Sequence, residues 1–212
     1  MTNQVAGLSN IQFAGYNNPQ LVSYGIAGKP SISLANSPLV TGPTTAFPAI
    51  NNVFDGGATV FIAFRPNGGT GAQRLLDTTQ QGGNGWEIYY SPDSGKISFS
   101  QRFSGGSATW ETPASAPFTV GSNYVLALTY NADSAANVPS IWRSDFYNNG
   151  QALTLTQSGS NSGTRNAESG NFWIGSRNYN DSGEAFNGLF SEILIYNNVL
   201  SSANRSEEHT SE

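Results

Sequence analysis

Two places in the chain gather side chains that could do chemistry. The first is Arg177-Asn-Tyr-Asn-Asp-Ser-Gly-Glu184, where a guanidinium and an aromatic ring sit among the oxygen donors of Asn178, Asn180, Asp181 and Glu184. The second is Trp110 beside Glu111, with Arg102 in the segment before it. Sugar recognition needs aromatic faces that stack on pyranose rings and polar side chains that hydrogen-bond to hydroxyls. Trp110, Arg102, Glu111, Tyr179 and Arg177 are therefore the candidate carbohydrate contacts. Trp86, Trp142 and Trp173 lie in alternating segments and read as core or rim, and core packing is equally open to Trp110, since aromatics fill sandwich interiors.

Several other chemistries are excluded by what the chain lacks. It has no cysteine, hence no disulfide, thiolate metal site or cysteine nucleophile. Its one histidine, His209, lies in the last eight residues, and no Gly-x-Ser-x-Gly elbow occurs, so a serine hydrolase has no usual base. Asn67-Gly-Gly-Thr-Gly71 lacks the Lys-Thr and following helix of a phosphate loop and reads as a hairpin tip. With 9 basic against 14 acidic residues and a net charge of -5, the chain has no clustered Lys and Arg to neutralise phosphates, which argues against nucleic acid. No apolar run reaches the length of about 18 residues that a membrane helix needs, and Met1-Thr-Asn-Gln-Val does not resemble a signal peptide. A protein acting outside a cell would then leave by lysis, by assembly into a particle, or with a leader outside this sequence.

The elements that must position these residues read as strands throughout. Thr59–Arg65, Arg74–Thr78, the hairpin Gly85–Ser100 turning at Pro92-Asp-Ser-Gly95, Ser107–Glu111 and Asn123–Asn131 all alternate or run apolar between turn residues. Ser31–Ala35 is an opening strand, and the proline-rich stretch Pro38–Pro48 reads as a connection between sheets because proline rejects a central strand. Ser140–Asn148 and Ala152–Gln157 form a predicted hairpin about Asn148-Asn-Gly150. Phe186–Leu200 alternates Leu189, Ser191, Ile193 and Ile195 against Phe190, Glu192, Leu194 and Tyr196, which predicts a central strand with two apolar faces. Ten or more short strands in 212 residues, with no repeat, imply one all-β domain, an antiparallel two-sheet sandwich or barrel. Residues 1–30 read as an N-terminal arm or edge strand and 31–204 as the sandwich. The terminal Arg205-Ser-Glu-Glu-His-Thr-Ser-Glu212 resembles the in-frame translation of a short-read sequencing adapter, so 205–212 is expected to be a non-native tail.

Five segments carry a family resemblance: Gly85-Trp-Glu-Ile-Tyr, Val125-Leu-Ala-Leu-Thr-Tyr130, Tyr147-Asn-Asn-Gly150, Phe172-Trp-Ile-Gly175 and the closing stretch from Phe186-Asn-Gly to Leu200-Ser. Together they resemble the laminin-G and pentraxin-type jelly rolls of the concanavalin A-like lectin and glucanase superfamily. The resemblance implies a jelly-roll β-sandwich. It also raises calcium, which such relatives often carry; Asn178, Asn180, Asp181 and Glu184 would be its ligands, although their spacing matches no fixed calcium loop and the same residues suit turn geometry. Laminarinase-type relatives hydrolyse glycans through a Glu-x-Asp-x-(x)-Glu run, and none is present; Glu87, Glu111 and Glu192 stand singly. Ser91-Pro-Asp-Ser-Gly95 resembles a sialidase Asp-box, but the aromatic Phe99 comes one position late, and a plain turn accounts for it.

The resulting expectation is a non-enzymatic glycan-recognition or display module, extracellular or on a virion surface, such as a phage tail fibre or capsid decoration. The alternatives are a structural virion protein docking on a neighbouring protein through its N-terminal arm, with homo-oligomers compatible, and a glycoside hydrolase.

Overall fold

The computed structural model describes residues 12–13, 19–35, 39–43, 50, 52–79, 83–145, 150–167, 171–177 and 183–207. Among them the chain forms two antiparallel sheets packed face to face. The first holds β1 (Gln12–Phe13), β4 (Leu39–Pro43), β14 (Asn171–Ile174), β6 (Gln73–Asp77), β7 (Trp86–Ser91), β8 (Lys96–Phe103), β9 (Gly106–Glu111) and β13 (Thr156–Ser158), in that spatial order. The second runs β12 (Gln151–Leu153), β11 (Ser140–Ser144), β10 (Tyr124–Tyr130), β5 (Ala58–Pro66), β15 (Asn187–Tyr196), β3 (Lys29–Ala35) and β2 (Gln20–Ile26). The crossovers between the sheets give the jelly-roll sandwich that the alternating strands imply.

The core lies between the sheets and follows from strand alternation. Trp86, Ile88 and Tyr90 of β7, Ile97 and Phe99 of β8, and Ala108 and Trp110 of β9 point inward to meet Val60, Ile62 and Phe64 of β5 and Leu126 and Leu128 of β10. Phe54 is the hinge of the aromatic packing, edge-on to Trp86, Phe99 and Tyr130 at centroid separations of 5.2, 5.3 and 5.6 Å. β10 is apolar on both faces because its other side contributes Val125 and Ala127 to a second cluster with Phe61 and Leu200 on the outside of the second sheet. The closing helix α1 (Ser202–Glu207) lies there, with Ser201 as its cap: the Asn204 N–H donates to Ser201 Oγ at 3.3 Å, and the Arg205 guanidinium stands 4.4 Å over the Trp142 ring.

Three sequence expectations need correction. The stretch Pro38–Pro48 contains β4, which lies between β1 and β14; Pro43 is tolerated because it ends the strand, where the register to Asn171 shifts. Ala152–Gln157 is not one hairpin arm. Its first residues pair with β11 in the second sheet, Ile141 opposite Leu153, and its last belong to β13, which pairs with β9 in the first. In β15 the simple alternation breaks at a bulge between Phe190 and Glu192, so Phe190, Ile193 and Ile195 face Phe64, Ile62 and Val60 on the core side while Leu194 and Tyr196 face outward.

After β14 the chain turns at Gly175, whose φ of 76° is a left-handed conformation that side chains disfavour. Its N–H donates to the Leu75 carbonyl at 2.9 Å and its carbonyl accepts from the Phe186 N–H at 2.8 Å, which directs the next residues over the first sheet. A Cβ here would run into Leu34 Cδ1 and approach Phe190. Gly175→Ala is expected to destabilise the domain by about 1–3 kcal/mol, read as a lowered urea midpoint at unchanged m-value.

Candidate functional site: a charged cluster on the outer face of the first sheet

The alternation that sends Trp86, Ile88 and Tyr90 inward sends Glu87 and Tyr89 of β7 to the outer face, together with Ser98, Ser100 and Arg102 of β8 and Ser107, Thr109 and Glu111 of β9. β6 joins them through a bulge. Arg74 pairs with Tyr89 and Asp77 with Glu87, although these β6 residues are three apart, because the register shifts between Arg74 and Leu76. The extra residue turns Arg74 and Asp77 to the same side and leaves Leu76 in the core opposite Ile88. Arg177 arrives from the turn after β14 and Glu184 from the segment before β15.

These five side chains form one ion-pair network. Arg74 Nε lies 3.1 Å from Glu87 Oε2 and 3.4 Å from Asp77 Oδ2, and Arg74 Nη2 lies 2.9 Å from Glu184 Oε1. Arg177 reaches the same three carboxyls: Nη2 to Glu87 Oε2 at 2.6 Å, Nε to Asp77 Oδ2 at 3.3 Å and Nη1 to Glu184 Oε2 at 3.3 Å. Arg74 also lies 4.6 Å over the Tyr89 ring. The side chain of Asp77 is fully enclosed and that of Arg74 only 6% exposed, against 26% for Glu184, which forms the outer edge of the network. Arg74 Nη1 is buried without a hydrogen-bond partner among the described residues.

Two cations facing three carboxyls leave one anion too many, and Asp77 resolves the excess. Burial, then the Glu87 charge, outweigh Arg177 and Arg74 and push its pKa from 3.8 up to about 7. Its Oδ1 accepts from the Thr79 N–H at 2.6 Å and the Thr79 hydroxyl at 2.9 Å. Burial pushes Glu87 upward too, but Arg74 and Arg177 prevail and hold it below its ordinary value. Arg177 loses charge stability on burial and regains more from Glu87, Asp77 and Glu184, so its pKa rises. With Asp77 protonated the network is neutral, which lessens the desolvation penalty of a buried charge group.

The sequence-predicted residues fall in different places. Arg177 and Glu184 are in the network. Trp110 is not a surface ring: it is 1% exposed, stacked on Phe99 at 5.8 Å and packed on Tyr130 at 5.4 Å, because it shares the inward side of β9 with Ala108. Glu111 and Arg102 do lie on the outer face, but away from the network, Glu111 paired with Lys96 Nζ at 3.1 Å and Arg102 Nη1 donating to Ser107 Oγ at 3.1 Å. Asn178, Tyr179, Asn180 and Asp181 lie outside the described residues. Both Glu184 oxygens are held by guanidinium groups whose charge opposes a cation, and no cluster of three or more His, Cys, Asp or Glu suited to a metal occurs among the described residues. Sequence reasoning missed Arg74 and Asp77 and treated Glu87 only as a lone carboxylate. The readable signal was Glu87 itself, a charge inside an aromatic strand that demands a partner.

Two antiparallel sheets packed face to face, with a charged cluster on one outer face, define a jelly-roll β-sandwich of the concanavalin A-like class. The chain belongs to a laminin G family of the concanavalin A-like lectin/glucanases superfamily, whose model matches residues 41–204. No curated protein matches it by sequence. Among solved structures it resembles a NanB sialidase mutant of Streptococcus pneumoniae, with TM-score 0.60 and 18% identity over 83% of this chain and 27% of that one. It also resembles the Ruminococcus gnavus IT-sialidase CBM40 bound to α2,3 sialyllactose, at 0.55 and 16% over 90% and 96%. The mouse laminin α1 domains LG4-5 follow at 0.53 and 13% over 93% and 48%. The chain thus spans about a quarter of the sialidase's length.

The opposed shifts predict a pH dependence with a definite sign. Asp77 binds its proton more tightly folded than unfolded, so its contribution to stability is complete below its ordinary 3.8 and is lost as pH rises through about 7. Glu87 acts oppositely, contributing above its ordinary 4.5 and losing that contribution as pH falls through its lower folded value. Asp77→Asn, which mimics the protonated acid, should flatten the fall in melting temperature between pH 5.5 and pH 8 by several degrees relative to wild type, measured by calorimetry.

Proposed function

We propose that the domain is a non-enzymatic glycan-recognition module that binds acidic sugars at the Arg74–Arg177 pair. The observation carrying this reading is a pair of guanidinium groups bridged by one peripheral carboxylate, with Tyr89 beneath Arg74, on an outer sheet face rather than in the core. Planar guanidinium forks match sugar carboxylates, and charge-assisted bonds of this kind discriminate them from neutral sugars. A neighbouring fold that holds a sialylated glycan, the Ruminococcus module, supports the same ligand class.

Binding is favoured over hydrolysis by the carboxyl spacing. Asp77 Oδ2 and Glu87 Oε2 both lie against Arg74 Nε, at 3.4 and 3.1 Å, and both also reach Arg177, whereas a retaining glycosidase needs carboxyls about 5–5.5 Å apart with room for substrate between them. A surface rich in Gly, Asn, Ser and Thr with only 11% charged residues and no membrane-crossing helix among the described residues suits display on an extracellular or phage-particle surface. Recovery of the chain with purified particles would test that setting.

On a glycan array the full chain is expected to bind sialylated or uronic acid-bearing glycans over their neutral counterparts. Arg177→Lys and Arg74→Lys keep the charge but lose the fork, and each should weaken binding about ten-fold or more, with melting curves run alongside. An array silent to acidic glycans with the wild-type chain would overturn the reading.

A further inference from the structure

We propose that Glu184 is an internal stand-in for the ligand's carboxylate, closing the Arg74–Arg177 pair until an acidic sugar displaces it. The inference rests on the cluster being the sugar site and assigns that site's regulation. Glu184 differs from its neighbours in three ways. Asp77 and Glu87 are fixed on adjacent strands, whereas Glu184 comes from the segment leading into β15 and is the most exposed member. Its two oxygens are divided between the arginines, Oε1 with Arg74 Nη2 at 2.9 Å and Oε2 with Arg177 Nη1 at 3.3 Å. Any sugar carboxylate, being the same planar group, can reproduce that bridge.

The main chain at this point is anchored independently of the side chain. The Arg74 N–H donates to the Glu184 carbonyl at 2.8 Å, Arg74 and Ala185 form a parallel bridge, and the Phe186 N–H donates to the Gly175 carbonyl at 2.8 Å. Rotation about the Glu184 side-chain bonds therefore frees the arginines without unmaking the fold. The exchange is also neutral in charge: one carboxylate leaves the network as another enters, whereas a neutral sugar would leave both guanidinium groups without the charge that Glu184 supplied. The internal group competes at high effective concentration, so the wild-type chain binds more weakly than the bare arginine pair would.

The test is titration of the full chain and its Glu184→Gln variant with N-acetylneuraminic acid, glucuronic acid and their methyl esters, followed by NMR or calorimetry. Glu184→Gln is expected to bind the free acids at least ten-fold more tightly than wild type while neither chain gains affinity for the esters. Binding of the acids by the variant alone would be the same result in stronger form. Should wild type bind the acids and the variant bind them equally or more weakly, the stand-in role falls while the acidic-sugar site stands. Should neither chain bind any acid, both readings fall. If Glu184→Gln melts early, Glu184→Asp replaces it, since a side chain one methylene shorter draws the carboxylate back from the arginines; acids bound no more tightly by that variant would equally overturn the proposal.

Discussion

One extra residue in β6 is the constraint on which the site depends. Arg74 and Asp77 are an odd number of positions apart, so in an unbroken strand one of them would face the core. There it would meet Ile88 and Phe99 with no partner, an arrangement that costs several kcal/mol per buried charge. The register shift between Arg74 and Leu76 removes the conflict. It lets Leu75 and Leu76 both join the core and delivers Arg74 and Asp77 to the face already carrying Glu87 and Tyr89. The Leu75 carbonyl then accepts the Gly175 N–H, so the same bulge holds the turn that sets Arg177 in place.

Electrostatics explains why five ionisable groups persist together in a chain with few charges. Of its 9 basic and 14 acidic residues, two and three meet here. An isolated buried pair often does no better than an apolar replacement, and removing one partner costs about 3–5 kcal/mol because the other is left unpaired. The network avoids that by being closed: each carboxyl touches both guanidinium groups, and the raised pKa of Asp77 lets a proton offset the surplus negative charge below about pH 7. By the same reasoning such an arrangement adds little net stability over an apolar replacement, which is consistent with the binding role proposed for it.

The strands were legible in the sequence because alternation and turn chemistry are local. Asn123–Asn131, apolar on both faces, is an interior strand, and the turn at Pro92-Asp-Ser-Gly95 joins β7 to β8. What alternation could not reveal was where it breaks. The bulges at β6 and β15 shift register without any Gly or Pro to mark them, and β12 and β13 part company at Thr154-Leu155 with no turn signal. Two of the five site residues were legible for the same reason: Arg177 and Glu184 stand in a conspicuous polar segment. Arg74 and Asp77 are ordinary residues of a short strand until the bulge turns them outward. Trp110 failed as a ring for sugar because its neighbour Ala108, small and apolar, already marked that side of β9 as the inner one.

The two outer faces of the sandwich differ in what already covers them. On the second sheet Phe61, Val125, Ala127, Leu194 and Tyr196 form an apolar surface that Leu200 covers and Arg205 borders by lying over Trp142. That surface is satisfied by the chain's own closing segment. On the first sheet the outer side chains of β7, β8 and β9 are a tyrosine, hydroxyls and charges, a surface suited to hydroxyl-rich ligands, and Arg177 and Glu184 of the described residues meet it from outside those strands. Strand alternation would allow either face to bind. The asymmetry in what each face already contacts favours the first for the proposed recognition, and within it the place where, on that proposal, one carboxylate is exchanged for another without a change in charge.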